Sequence, residues 1–353
     1  MTLLFVFGTR PEAIKLGPVA AELAAVKTPF GVLCTGQHTS LLEGTPAETD
    51  LAGPNTFSLG LASDGDVLKW TMRAEMKVRE FLETWDSLEQ LDPVVVQGDT
   101  MSALAAARAA KVLGRTLVHV EAGVRSGDLK NPWPEEGFRR EITGLADWHY
   151  APTAHCFANL VAEGVAPARV RVTGNSVVSA LARYTAARPV PAEDHVLVTL
   201  HRRELLQSEA FAGVVQALID EAAHRPELKF LWPVHPATLP LLGGFEGPPN
   251  LLLGNPLSYV NFVGWLATAR GVLTDSGGLV EEACTLGVPN ATLRVATDRP
   301  EALTIALGSR WSPDPAGVRG AVAWLAREHS RQPSNVFGEI GAAGAIARLL
   351  AAL

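Results

Sequence analysis

Short apolar runs recur along the chain, with longer amphipathic stretches between them. Residues 3–7, 31–35, 94–97, 116–120 and 170–173 are each too short for a stable helix and too apolar for a solvent-facing loop, so each reads as a buried strand. Strands without regular polar alternation are covered on both faces, and strands that alternate with helices pair in parallel, which predicts a parallel sheet between helical layers. The segment 183–195, "RYTAARPVPAEDH", is polar, carries two prolines and breaks this rhythm as a linker does. The rhythm restarts over residues 195–200, 228–234, 250–253, 271–274 and 289–293. The pattern predicts an α/β protein of two doubly wound domains facing each other across a cleft.

Composition agrees with two cores and removes several function classes. The chain has 353 residues, 47% hydrophobic and 19% charged. The apolar start has no basic segment before it and breaks at Gly8, so it reads as a first strand and not as a signal peptide or a membrane span. Three scattered cysteines without a CxxC fit a reducing cytoplasm, and a net charge of −7 argues against a general nucleic-acid binder.

In doubly wound folds ligands bind beyond the carboxyl ends of the strands, so the residues after each strand are the candidate site. Here those stretches are "FGTRPE", "QGDT", "HVEAGVR", "TGNS", "LHRRE", "PVHP" and "LTDSGGLVEE". Nearly every strand ends in charge, which points to a functional cleft. In "LTDSGGLVEEA", Ser276 stands where a helix would start, and Gly277 and Gly278 would let a phosphate reach backbone N–H groups at the positive end of the helix dipole. Glu281 and Glu282 lie one turn in, placed to accept from ribose hydroxyls. The plainer alternative is a capped helix whose glutamates answer its dipole. The first loop has one glycine where a dinucleotide fingerprint needs three, and no HxxxH or CxxC occurs, so neither a cofactor nor a metal is expected. The remaining inventory is Arg10, Lys15, Arg125, Arg202 and Arg203 to hold phosphates, and Asp99, Glu121, Glu135, Glu136 and His201 to move protons. It describes acid–base chemistry on an anionic ligand.

Taken together, "FGTRPEAIKLGPV", "GDT", "HVEAGVRSGDLKNPWPEE", "TGN", "HRRE", "PVHP", "LTDSGGLVEEA" and "TDRPEA" resemble, in order and spacing, the bacterial non-hydrolysing UDP-N-acetylglucosamine 2-epimerases. The resemblance runs from residue 3 to about residue 302, with a weaker echo to the C-terminal helix. It implies two Rossmann-like domains of the GT-B type, one spanning residues 1–175 plus 338–353 and carrying the catalytic carboxylates, the other spanning 176–337 and binding UDP. The last helix would cross back to the first domain. The implied reaction is reversible inversion at C2 of the sugar in UDP-GlcNAc, giving UDP-ManNAc through elimination of UDP to a 2-acetamidoglucal and re-addition. No cofactor is implied, and the partner is the UDP-sugar itself within a cytoplasmic homodimer.

By motif, the resemblance assigns Asp99, Glu121, Glu135 and His201 to catalysis. It places Arg10 near the diphosphate, Lys15 in an ionic supporting role, and Arg125, Arg202, His235 and Arg299 on the substrate. Ser276, Gly277 and Gly278 would bind diphosphate, Glu282 ribose and Phe262 uracil. Asp99 as a helix cap, His201 as an exposed loop residue and Phe262 as a core aromatic are the plain alternatives. The chain departs from the family pattern at Phe138, where Asn is usual, at Val295, where an acidic residue is usual, and at Thr39 and the "SDGDVL" stretch. A GT-B-type hydrolase or transferase, an epimerase of another UDP-2-acetamido sugar and a nucleotide-sugar binding protein are the competing readings.

Overall fold

The apolar runs of the first half pair in parallel into one seven-stranded sheet, as a computed structural model describing residues 2–37, 45–53, 55–63, 65–85, 91–185 and 194–353 shows. Its strands are β1 (Thr2–Phe7), β2 (Phe30–Cys34), β3 (Thr56–Ser58), β4 (Leu91–Gln97), β5 (Leu117–Val120), β6 (Trp148–Ala151) and β7 (Val170–Val172), in spatial order β3-β2-β1-β4-β5-β6-β7. The order reverses between β1 and β4, so the loops after these two neighbouring strands open at the switch point where doubly wound sheets bind ligands. Helices α1 (Arg10–Ala25), α2 (Ala47–Leu51), α3 (Val67–Trp85), α4 (Met101–Val112), α5 (Glu135–Leu145), α6 (Ala154–Ala162) and α7 (Ser176–Thr185) connect them.

A second sheet repeats the plan. Strands β8 (His195–Thr199), β9 (Lys229–Pro233), β10 (Leu251–Gly254), β11 (Gly271–Thr274), β12 (Asn290–Leu293) and β13 (Gly308–Trp311) lie in the order β10-β9-β8-β11-β12-β13, all parallel, with the switch between β8 and β11. Helices α8 (Arg203–Leu206), α9 (Phe211–His224), α10 (Tyr259–Thr268), α11 (Gly277–Leu286) and α12 (Pro315–Leu325) accompany it, and α13 (Ala342–Ala351) packs on α1. The chain thus forms two compact units, Met1–Arg125 with Trp133–Arg183 and Gly338–Leu353, and Ser126–Pro132 with Tyr184–Phe337.

The pleat sorts the strand residues between two cores. In β8, Val196 and Val198 join Phe230, Trp232, Leu218 and Val322 on one face of the second sheet, while Leu197 joins Val272, Leu266 and Ala283 on the other. Each such side chain is fully buried, a gain of roughly 1.5–3 kcal/mol per large apolar residue. In the first unit Leu4, Val6, Val94 and Val96 pack with Leu104, Ala107 and Ile142. Phe138 packs in that same cluster, so the Asn-to-Phe departure lies on the core face of α5.

Three strands were not evident in the apolar pattern. The strands β3 and β13 are short, partly exposed edges, and β6, "WHYA", hides a buried histidine inside what reads as a polar stretch. Residues 186–193 of the expected linker, Thr39, and Asp64 of "SDGDVL" lie outside the described residues. Cys34, Cys156 and Cys284 are buried thiols. Among the described residues no helix is long and apolar enough to cross a membrane.

Candidate active site

In the first unit the site begins where β4 and β5 end. The loop after β4 turns at Gly98 (φ +72) into Asp99 and Thr100, and Thr100 rather than Asp99 caps α4, its hydroxyl accepting from the Ala103 N–H at 3.0 Å. Asp99 is therefore not spent on the helix; its Oδ2 accepts from Arg139 of α5, Nε at 2.7 Å and Nη2 at 2.5 Å. Arg139 is buried and reaches Glu136 at 3.4 Å, and the fully buried Glu136 also takes Arg140. Glu135 is the first residue of α5.

At the end of β5, Glu121 has φ +66, a conformation uncommon for a side chain with a Cβ and one that collects at active sites. Three donors converge on its Oε2: Lys15 Nζ at 2.5 Å, Gln97 Nε2 at 2.8 Å and Asn175 Nδ2 at 3.4 Å. A site built only of donors fits a carboxylate. Lys15 is buried on α1, Gln97 is the last residue of β4 and Asn175 comes after β7, so one helix and the ends of two strands hold one oxygen. Arg125 is engaged elsewhere. Its Nε and Nη2 grip Glu163 at 2.8 and 2.7 Å, its Nη2 also reaches Thr143 and its Nη1 the Val124 carbonyl, so it clamps the loop after β5 to α6. Those bonds hold the Glu163 carboxyl below its ordinary range.

Behind the carboxylates lie two buried histidines on adjacent strands, His119 of β5 and His149 of β6. His119 Nε2 donates to the Gly98 carbonyl at 2.8 Å, tying β5 to the turn that carries Asp99. Burial pushes His119 down to about 3 and His149 down to about 4, so both are neutral in the folded protein. The unfolded chain takes up a proton on each near pH 6.5, so the stability they contribute is complete above that pH and is lost as pH falls from 6.5 toward 4 and then 3. Urea midpoints measured at pH 7.5 and pH 5 should differ by the equivalent of about 2 kcal/mol per histidine. His119→Gln should remove about half of that difference. An equal pH dependence in the variant counts against neutral burial of His119.

In the second unit Asp275, at the end of β11, accepts the backbone N–H groups of His201 and Arg202 on its Oδ2, both at 2.8 Å. This joins the loops after β8 and β11, which the Thr199–Thr274 hydroxyl pair at 2.7 Å also ties. The His201 ring has its Nδ1 3.6 Å from Asp275 Oδ1 and stacks on His235 with centroids 5.2 Å apart. Burial lowers both histidines from their ordinary value, against the pull of Asp275. Ser276 is the N-cap of α11 but makes no capping bond with its side chain. A Cβ on Gly277 would meet Asp298 Oδ1 at 2.9 Å, whereas Gly278 faces open space. Glu281 is fully buried and bonded to Arg299, which also pairs with Asp298. Glu282 lies beside the Tyr259 hydroxyl, and burial first, then the Glu282 charge, hold that phenol well above its ordinary range. Phe262 is partly exposed and packs one side against Leu266 and its neighbours. Among the described residues no group of three or more His, Cys, Asp or Glu side chains is arranged to hold a metal ion.

The family model described as UDP-N-acetylglucosamine 2-epimerase matches residues 23–351. The chain belongs to the UDP-N-acetylglucosamine 2-epimerase family. It is 34% identical to the UDP-N-acetylglucosamine 2-epimerase of Escherichia coli K12, covering 100% of this chain and 98% of that one. It is similar in structure to the Methanocaldococcus jannaschii UDP-GlcNAc 2-epimerase in complex with UDP-GlcNAc and UDP, with a TM-score of 0.91, 29% identity and coverage of 100% of both chains. The Neisseria meningitidis epimerase bound to UDP-GlcNAc matches with a TM-score of 0.88 and 28% identity, again over 100% of both chains.

Within this epimerase-family chain the structure brings Lys15 to Glu121, and His201 to Arg202, Asp275 and His235. Arg125 and Arg299 are instead drawn into ion pairs with Glu163 and with Glu281 and Asp298. Residues that the motifs alone did not single out are Gln97, Asn175, Arg139 and His119. A signal existed for three of them, since Gln97 directly precedes "GDT", Asn175 ends "TGN" and His119 opens "HVEAG".

Proposed function

We propose that this chain inverts C2 of the N-acetylglucosamine unit of UDP-GlcNAc, reversibly, to give UDP-ManNAc. The observation that carries the proposal is the pair of carboxylates after adjacent strands β4 and β5, Asp99 and Glu121, each already matched to a cation, Arg139 and Lys15. The C2 hydrogen has no neighbouring carbonyl to acidify it, so simple abstraction is very hard. Elimination removes the difficulty. A carboxylate takes the C2 proton, the C–H electron pair becomes the C1=C2 bond, and the C1–O pair leaves with UDP. Protonation of C2 from the opposite face, with the UDP oxygen returning to C1, completes the inversion. Such a route needs donors aimed at the leaving diphosphate and one proton-transfer group for each face.

Arg10, His201 and Arg202 are assigned to the diphosphate with the start of α11, Ser276 to Gly278. Glu282 takes the ribose and Phe262 the uracil. Glu135 is the further acid–base carboxylate, and Lys15 fixes Glu121. A cytoplasmic homodimer belongs to the same reading, carried by the family resemblance. UDP-GlcNAc incubated in D₂O without an acceptor should gain deuterium at C2 and yield the manno epimer. Release of UDP with free sugar instead marks a hydrolase, and unchanged substrate sinks the proposal.

A further inference from the structure

Glu12 lies one turn into α1, is 1% exposed, and its carboxylate makes bonds that a helix cap alone does not require. Its Oε2 accepts from the Gly8 N–H at 3.1 Å, the Thr9 hydroxyl at 2.7 Å and the Thr9 N–H at 2.8 Å, the last being its part of the capping box of α1. Its Oε1 accepts from the Thr100 hydroxyl at 2.7 Å, 88 residues away in the loop after β4. Thr100 can do this because its oxygen caps α4 while its hydrogen points to Glu12. One buried carboxyl therefore joins the N-termini of two helices and the two loops at the switch point of the first sheet. The first loop leads directly into Arg10 and the second carries Asp99, the residue before Thr100. Burial pushes this carboxyl up to about 7, against the four hydrogen bonds that lower it. Keeping a carboxyl here is costly, and a helix cap at an exposed position would not incur that cost.

We propose that Glu12 is a positioning residue for the reaction: by bridging the loops after β1 and β4 it fixes Arg10 and Asp99 relative to each other. The inference rests on the epimerase reading above. A small displacement of a reacting group costs up to about a hundredfold in rate, so the loss belongs mainly in turnover, with a smaller loss of nucleotide affinity through Arg10.

The test compares Glu12→Gln with the wild-type protein in the D₂O exchange assay, alongside UDP titration and thermal unfolding. The amide puts N–H groups among donors that need an acceptor. Turnover should fall by at least about tenfold, and by clearly more than UDP affinity, which falls only as far as Arg10 shifts on the diphosphate. Thr100→Val breaks the bridge from the other side and leaves Glu12 in its capping box, though it also removes the α4 cap, so it should lose turnover in the same way together with some thermal stability; Thr100→Ser, which keeps both bonds, should retain more than Thr100→Val. If Glu12→Gln does not fold, the two Thr100 variants decide the matter. Wild-type turnover in folded Glu12→Gln or in Thr100→Val overturns the inference, as does a loss of UDP affinity as large as the loss of turnover, the mark of a merely structural role. If the wild-type protein itself exchanges no deuterium, the epimerase reading fails and this inference falls with it.

Discussion

Asp99→Asn and Glu121→Gln are each expected to lower C2 deuterium exchange by about 10²–10⁴-fold, the span that general acid–base groups supply, while UDP binding changes by less than about twofold. The two changes leave the shape of the site nearly intact. An asparagine at position 99 would still accept from Arg139, whose other carboxylate partner, Glu136, stays in place. A glutamine at position 121 could turn its carbonyl toward Lys15, Gln97 and Asn175, at the cost of the charge that Lys15 answers. Both variants lose the ability to take and return a proton. Apart from Arg10, the assigned nucleotide grip lies in residues of the second unit, around α11 and the loop after β8, and neither change replaces any of these residues. Exchange measured by NMR and UDP affinity by calorimetry separate the two roles. A variant that loses both together would show that these carboxylates hold the nucleotide and do not transfer protons.

Gly123→Ala is expected to be strongly damaging for a single added methyl group in the first unit's site. Gly123 has φ +85, and a Cβ there would stand 2.2 Å from the Cys156 carbonyl oxygen and 2.8 Å from its carbon. The obstacle is backbone of α6, which cannot swing aside as a side chain can. Positive φ and the forced shift together cost roughly 3–5 kcal/mol. Two residues earlier stands Glu121, so a shift of this turn moves the carboxylate as well. Gly164→Ala supplies the comparison, because Gly164 has φ +90 but open space around the added Cβ. It should cost only about 1 kcal/mol. Thermal unfolding of the two variants should differ by many degrees; equal melting temperatures would mean that the turn after β5 yields freely.

Much of this molecule was legible in its sequence because parallel strands advertise themselves. Runs such as residues 94–97 and 271–274 are apolar on both faces, and the residues just beyond them must lie at the ligand-binding edge. Asp99, Glu121 and Asp275 could be placed by that rule alone. Edge strands obey no such rule, which is why β3 and β13 were not visible. The partners of the carboxylates were harder to see, since they come from distant parts of the chain. Asn175 meets Glu121 across 54 residues, and Thr100 meets Glu12 across 88. Local spacing carries no trace of such meetings. Arg125 and Arg299 show the opposite problem, because a basic residue in a site motif looks the same whether it awaits a phosphate or answers a buried carboxylate.

The packing of α13 on α1 bears on how the chain is made. Residues 338–353 complete a unit whose other parts precede residue 184, so the ribosome delivers the whole second unit before the first can close. Domains fold as units during synthesis. The first sheet must therefore wait with the α13-facing side of α1 uncovered while the second unit assembles its own core. Ile346 and Leu350, buried in the finished fold, are the late arrivals that end this exposure.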